Sequence, residues 1–420
     1  MLVIRNIGEL VVVPPGPVLG RSMREVKCIR SAALVIEDGK IAWFGREADL
    51  DTATTGAAPE SLDAGGGCVV PGLIDCHTHT VFAGTREDEF VQRIEGKSYA
   101  EIAESGGGIR VTVEAVRAAT GEQLIELALP RLRRMLRNGV TTVEIKSGYG
   151  LTVADELKML LAVRRLGEIQ PIELVGTYLA AHTTPREFRD RPDDYLDTIL
   201  DDDVLSRIRD ERLAEFCDVF CERTAFDVAQ SRRVLTTAKR FGLRPKLHAD
   251  QMTQMGASRL AGEVEAISAD HLERIDGPGI NAMKKAGCVA VLLPGCSFFL
   301  GVEQAPARRL IEAGLPVAIA TDYNPGSAMI ESLPLVMHIA CTQMRLTPTE
   351  ALVAATANAA AAINRHQRVG AIALGMQADL VILDVPNHRR WMYEPGRNGG
   401  RAVVKRGVVV CSAHVDGTGP

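Results

Sequence analysis

The chain has 420 residues, of which 46% are hydrophobic and 24% charged, and its formal net charge is −5. This length suffices for one large catalytic domain and a smaller companion. The charge and the lack of a long basic run argue against nucleic acid and anionic membranes as partners. The first residues lack the features of a secretory signal, and no stretch approaches the ~20 apolar residues of a membrane span. Nine cysteines without a disulfide-like rhythm fit a reducing compartment, so we expect a cytoplasmic protein.

The two ends of the chain share a pattern of short β-type runs separated by Pro and Gly. LVIRN, GELVVV and AALVIEDGKIAWFG open the sequence, while ADLVILDV and GRAVVKRGVVV stand near its end. The pair Asp38-Gly39 between two apolar runs is a strong hairpin signal. We therefore predict a small β-sandwich domain built from both termini, comprising residues 1–68 and 368–420.

Between these ends, short apolar strands alternate with amphipathic helices, which is the rhythm of parallel βαβ units. The eight candidate strands are 73–79, 140–150, 173–182, 217–222, 244–250, 266–272, 288–295 and 316–324. The segments between them have helical spacing and are long enough for crossovers. The middle of the chain, residues 69–367, is thus predicted to be an α/β domain, a TIM-type (β/α)8 barrel.

Polar residues fall at or just past the C-terminal ends of the candidate strands, where such a barrel carries its active site. These residues are His77, His79, Tyr149, His182, Glu222, His248, His271 and Asp322. In a strand, residues two apart point to the same side, so His77 and His79 can face one metal ion. Randomly scattered core histidines would not favour one end of the barrel so often.

The motif VVPGLIDCHTH, residues 69–79, resembles the first-strand signature of the amidohydrolase superfamily. That superfamily takes a third histidine from strand five and an aspartate from strand eight. The resemblance implies that the metal ligands here are His77, His79, His248 and Asp322, a set that suits zinc or ferrous iron. The fourth strand ends in Glu222 rather than in a lysine that would bridge two ions, so we expect one divalent metal ion. Glu222 itself stays a candidate for a direct role, and Lys146 is interpreted as a structural or supporting cation.

The stretch DCHTHTVFAGTREDEFVQRIEGKSYAEIAESGGGI and the motifs KSGYGL, AAHTTP, HADQ and TDYNPGS are similar to those of the imidazolonepropionase family. That family opens the ring of 4-imidazolone-5-propanoate to N-formimidoyl-L-glutamate in histidine degradation. The resemblance implies a homodimer and a small-molecule substrate. The substrate-binding residues that it implies are Arg86, Tyr149, His182, Gln251, Asn324, Gly326 and Ser327.

Individual residues suit that reaction. Arg86 offers a planar fork of donors for the propionate carboxylate. We expect Asp322 to ligate the metal and to take the proton of the attacking water, whose pKa the ion lowers toward ~7. His182 would polarise the carbonyl or bind a ring nitrogen. For His271 we favour proton transfer and orientation over a role as a second metal ligand or an electrophile.

Two other functions compete with this one. Ring deaminases of the superfamily commonly carry glutamate three residues after the fifth-strand histidine, whereas this chain carries Gln251. Because an amide cannot act as an acid or base near neutral pH, a purine or pyrimidine aminohydrolase is the weaker alternative. A non-catalytic scaffold should have lost a metal ligand, and none of the four is missing. The sequence does not identify the group that protonates the leaving nitrogen.

Overall fold

The computed structural model describes residues 1–52, 60–97, 101, 107–397 and 399–412. Two eight-stranded sheets organise this part of the chain. The strands are β1 (Leu2–Val12), β2 (Lys27–Glu37), β3 (Lys40–Arg46), β4 (Glu60–Asp63), β5 (Cys68–Pro71), β6 (Leu73–Thr78), β7 (Val140–Lys146), β8 (Glu173–Ala181), β9 (Phe216–Cys221), β10 (Arg244–Ala249), β11 (Ser268–His271), β12 (Val289–Leu292), β13 (Val317–Ile319), β14 (Leu380–Leu383), β15 (Gly400–Lys405) and β16 (Val408–Ser412).

The helices are mostly the crossovers between barrel strands. Their bounds are Glu87–Ile94, Ile109–Ala118, Gly121–Arg137, Val153–Ile169, Pro192–Ile199, Asp202–Asp210, Val228–Arg240, Ala257–Glu263, Gly277–Ala286, Pro294–Leu300, Ala307–Glu312, Leu333–Met344, Pro348–Ala354, Ala357–Ala362 and His388–Tyr393, with 3-10 turns at Gly20–Arg24, Glu47–Thr52 and Arg186–Phe188. None of the helices in the described ranges is both long enough and apolar enough to cross a membrane.

Strands β6 to β13 form a parallel sheet in chain order. Its first and last members meet, because the backbone amide of His79 donates to the carbonyl of Tyr323 at 3.0 Å and that of Asp322 donates to the carbonyl of His77 at 3.0 Å. This arrangement confirms the predicted (β/α)8 barrel. β13 ends at Ile319, earlier than predicted, and the chain continues as a loop at the C-terminal end of the barrel.

The terminal strands form one mixed sheet in the order β16-β15-β14-β5-β1-β2-β3, with β4 beside β1. Asp38 and Gly39 have φ values of 47° and 74°, which is the conformation that a tight hairpin turn requires. The two flanks of the sheet approach each other, since the amide of Ala378 donates to the carbonyl of Gly39 at 2.8 Å. They enclose an aliphatic core that includes Ile4, Ile7, Leu34, Leu380 and Val404.

The predicted fold class is thereby confirmed, with the terminal β unit realised as one continuous sheet. The predicted domain boundaries stay predictions. β5 (Cys68–Pro71) straddles the first of them, and residues 413–420 lie outside the described part of the chain.

Candidate active site

All four predicted metal ligands lie together at the C-terminal end of the barrel. Nε2 of His77 and Nε2 of His79 lie 3.5 and 3.6 Å from Oδ1 of Asp322. The rings of His77 and His248 have centroids 4.6 Å apart. One ligand atom from each of the three histidines falls within 4.8 Å of the others. We call these four residues the metal centre.

The spacing and chemistry of the metal centre fit one small cation. Ligand atoms about 2.1 Å from a tetrahedral ion lie about 3.4 Å from one another, close to the separations from Asp322. Nε2 of His77 is buried without a hydrogen-bond partner. Burial lowers the pKa of His77 and of His79 well below the usual value. Both rings therefore keep the lone pairs that metal ligation requires.

Two aspartates inside the barrel orient two of these histidines. Nδ1 of His77 donates to Oδ2 of Asp270 at 2.6 Å. Nδ1 of His248 lies 3.1 Å from Oδ2 of Asp218, an ion-pair distance at which neither atom completes a hydrogen bond. Each contact leaves Nε2 of the ring facing the metal centre, as is usual for histidines that bind metals.

His271 and Asp322 both have left-handed backbones, with φ values of 80° and 54°. Such strain costs about 1–3 kcal/mol and is concentrated at functional sites. Nδ1 of His271 lies 3.6 Å from Oε1 of Glu273, which in turn accepts a hydrogen bond from the Ser297 hydroxyl at 3.1 Å. Burial by itself lowers the pKa of His271, but the carboxylates of Glu273, Asp322 and Asp270 outweigh it and raise that pKa above the usual value.

His182 lies beside the metal centre. Its ring stacks on that of His79, with centroids 5.3 Å apart and an interplanar angle of 15°. Nδ1 of His182 lies 3.0 Å from the carbonyl oxygen of Gly148. Because that oxygen only accepts, Nδ1 carries the proton and Nε2 is an acceptor. Burial lowers the pKa of His182 to about 3, and the ring of Tyr149 lies 5.5 Å away.

The side chain of Asn324 stabilises the loop after Asp322 through hydrogen bonds. Oδ1 of Asn324 accepts from the amides of Gly326 and Ser327, both at 2.8 Å. Nδ2 of Asn324 donates to the Ser327 hydroxyl at 2.9 Å. A Cβ on Gly326 would lie 2.1 Å from Nη1 of Arg86. Any larger residue at this position would displace the guanidinium of Arg86.

Arg86 is nearly buried, with 8% of its side chain exposed. Its Nε and Nη2 donate to Oε2 of Glu89 at 3.0 and 2.6 Å. Glu89 also accepts from the amide of Gly108 at 2.9 Å. The structure thus brings Arg86 to the loop of Gly326 and holds it there through a carboxylate three residues away.

Gln251 lies just past β10, and its Nε2 is 3.9 Å from Sγ of Cys296. Glu222 holds the neighbouring loop. Its Oε2 accepts from the amides of Met252 and Thr253 at 3.0 and 3.1 Å, and its Oε1 accepts from the Thr253 hydroxyl. Both oxygens of Glu222 are therefore engaged in shaping the loop that carries Gln251.

Comparison with known proteins identifies the family of this chain. Residues 68–410 match the Amidohydrolase family. The imidazolonepropionase of Geobacillus sp. (strain WCH70) is 45% identical over 414 residues, which cover 97% of each chain. That of Geobacillus kaustophilus (strain HTA426) is 47% identical over 396 residues, 94% of this chain and 93% of the relative. This chain belongs to the imidazolonepropionase family of amidohydrolases.

The family confirms the resemblance seen in the motifs, and the chain is a hydrolase that acts on a C–N bond. Among solved structures, a zinc-bound adenosine deaminase from Xanthomonas campestris is similar with a TM-score of 0.73 and 19% identity. The match covers 97% of this chain and 92% of the deaminase. At that identity the similarity shows the fold alone.

Three carboxylates of this site, Asp218, Asp270 and Glu273, were not among the residues predicted from the sequence. A signal for the first two existed in the strands. Asp218 interrupts the apolar run of β9. Asp270 shares one face of β11 with Ser268, so that face of the strand carries two polar residues. Since charged residues are rarely fully buried unless they are paired, a charge inside a barrel strand indicates a buried partner.

Proposed function

We propose that this chain hydrolyses 4-imidazolone-5-propanoate to N-formimidoyl-L-glutamate, a step of histidine breakdown. The observation that carries the proposal is 45% identity to an imidazolonepropionase over 97% of both chains. The arrangement of Arg86, His182 and the metal centre around one end of the barrel supports it. The homodimer and the cytoplasmic location stay predictions.

We further propose that the metal centre binds one divalent ion, zinc or iron. The ligands are the four residues already named, His77, His79, His248 and Asp322. When bound, the ion supplies Lewis acidity that lowers the pKa of a water molecule toward neutrality. The loop contacts of Glu222 support a single ion, because they engage both oxygens of the side chain that ends strand four.

The proton transfers use two side chains with opposed roles. Asp322, whose Oδ1 faces the metal-binding nitrogens, takes the proton from the attacking water. His271, whose pKa is raised by neighbouring carboxylates, carries a proton for the leaving ring nitrogen. The carboxylate of Glu273 lies 3.6 Å from Nδ1 of His271 and favours the protonated ring. Burial raises the pKa of Asp322 as well, so both side chains have the raised proton affinity that proton transfer uses.

His182 and Arg86 would bind the substrate at its two ends. With its proton on Nδ1, His182 presents Nε2 as an acceptor and suits a ring N–H rather than the carbonyl oxygen. Arg86 would bind the propionate carboxylate, and Gly326 leaves the room for its guanidinium. Tyr149, Gln251, Asn324 and Ser327 would complete the binding surface.

The test is a substrate panel with the purified, metal-loaded protein. Imidazolone propionate should be consumed with formation of N-formimidoyl-glutamate and without release of ammonia, because water opens the ring and nothing departs. Guanine, cytosine and a hydantoin should be inert. Ammonia release from guanine or cytosine, together with inert imidazolone propionate, would establish the deaminase alternative instead.

A further inference from the structure

A layer of fully buried charged residues lies beneath the metal centre, inside the barrel. It consists of Glu144, Lys146, Asp218, Lys246 and Asp270, and we call it the charged layer. Nζ of Lys146 is 2.7 Å from Oε1 of Glu144, 2.8 Å from Oδ2 of Asp218 and 3.7 Å from Oδ2 of Asp270. One ammonium group thus contacts three carboxylates.

Two of those carboxylates are the ones that orient histidines of the metal centre. In each of these aspartates, a residue of the same strand donates a hydrogen bond to one carboxylate oxygen. Oδ1 of Asp218 accepts from the amide of Val219 at 2.7 Å, and Oδ1 of Asp270 accepts from the Ser268 hydroxyl at 2.6 Å. The other oxygen, Oδ2, is shared between Lys146 and a histidine. A change in the position of Lys146 would therefore disturb the carboxylates that contact both His77 and His248.

We propose that Lys146 is a positioning residue for the metal centre, since it bridges Asp218 and Asp270 and so fixes the rings of His248 and His77. Without the ammonium, the two carboxylates would repel each other in a region that excludes water, where like charges interact strongly. Turning either carboxylate away would release the ring that it holds. This inference rests on the proposed metal centre and does not depend on the identity of the substrate.

Lys246 provides a matched comparison in the same layer. It is also fully buried, but its Nζ donates to the backbone carbonyls of Cys76 and Ala362 at 3.4 and 3.2 Å. Its distance to Oδ2 of Asp270 is 3.9 Å. Loss of Lys246 removes a buried charge of the same kind while leaving the bridge between the two aspartates in place.

The experiment compares Lys146→Met with Lys246→Met after loading with cobalt(II). Cobalt affinity is measured by competition with a chelator, and the visible ligand-field spectrum reports the geometry of the ligands. Lys146→Met should weaken cobalt binding about 10–100-fold, as loss of the groups behind metal ligands typically does, and should change the spectrum. Lys246→Met should keep the wild-type spectrum. Equal effects of both variants, or a wild-type affinity and spectrum in Lys146→Met, would overturn the proposal.

A second comparison applies if Lys146→Met does not fold. Asp218→Asn removes one bridged carboxylate, and the double variant Lys146→Met/Asp218→Asn removes both partners. If Lys146 acts through Asp218, the double variant should bind cobalt nearly as well as Asp218→Asn alone, since such effects are not additive. A further loss of about 10-fold would contradict the inference. A wild type that binds no cobalt would refute the metal centre itself.

Discussion

The interiors of the two eight-stranded sheets of this molecule differ, although both contain apolar side chains. The terminal sheet encloses aliphatic side chains such as Ile7 and Leu34. The barrel encloses, beneath its metal centre, the charged layer described above. Buried ion pairs add little stability compared with apolar packing of the same volume. The contrast indicates that the terminal sheet contributes stability, whereas the interior of the barrel is organised to hold ligands in place.

Mutations can test whether the barrel and the terminal sheet have these different roles. Substitutions at the barrel mouth should alter turnover, metal binding or substrate binding while the protein stays folded. Substitutions in the terminal sheet should alter the free energy of unfolding while each folded molecule works normally. Six substitutions, taken from the largest expected effect to the smallest, test these expectations.

The largest effect is expected from the proton-transfer residues. Asp322→Asn and His271→Ala should each lower turnover about 10²–10⁴-fold with a smaller change in substrate binding. Asp322→Asn should also weaken the metal, because it removes an anionic ligand. Steady-state kinetics with metal analysis measures both. Near-native turnover in both variants would show that the proton assignments are wrong.

Leu34→Ala tests the terminal sheet. Leu34 is completely buried in the aliphatic core, and truncation of such a side chain costs about 2–5 kcal/mol of unfolding free energy. Denaturant unfolding measures the loss. Turnover and metal content per folded molecule should match wild type, and a parallel fall in turnover would break the proposed division between the two sheets.

Arg86→Ala should raise KM more than it lowers turnover. A charged hydrogen bond contributes roughly 1.5–3 kcal/mol, on the order of ten- to a hundredfold in affinity. A substrate that lacks the carboxylate should be handled about equally by both proteins. Gly326→Ala should have the same effect, because its Cβ would displace the guanidinium. An equal loss of activity toward both substrates would make Arg86 structural.

Glu350→Gln tests a contact between the barrel and the N-terminal segment of the chain. Glu350 accepts from Arg308 at 2.7 and 2.9 Å and from Arg24 at 2.9 Å. Burial opposes ionisation, but Arg308, the amide of Thr347 and Arg24 outweigh it and lower the pKa of Glu350 to about 2. A depressed pKa contributes stability above the unfolded value of ~4.3, and that stability is lost as the pH falls toward 2.

The expected cost of Glu350→Gln at pH 7 is about 2 kcal/mol, reduced from the full linkage value because solvent screens the half-exposed Arg24. Glutamine can still complete the helix cap at Thr347, so the cap is not the cause. Urea unfolding at several pH values measures the difference from wild type. That difference should shrink between about pH 4.3 and 2, and a constant difference across this range would contradict the assignment.

The sequence predicted those parts of the molecule that one strand or one motif determines. The apolar runs and the lengths of the crossovers predicted the barrel. The spacing of His77 and His79 predicted two of the four metal ligands. Contacts between strands were harder to predict. The pairing of Asp270 with His77 joins β11 to β6, and no local pattern specifies which histidine a buried aspartate will face. The proton position on His182 likewise depends on the carbonyl of Gly148, in the loop after β7.

The closure of the barrel has a consequence for the order of events in biosynthesis. The hydrogen bonds between the first and last barrel strands involve His77, His79 and Asp322 themselves, and nearby Asp75 and Thr321 meet although 246 positions separate them. A growing chain therefore has no complete ligand set until the eighth strand has left the ribosome and docked. An ion that binds only the closed ring stabilises that ring, so we expect uptake of the proposed metal ion to be a late step that stabilises the finished barrel.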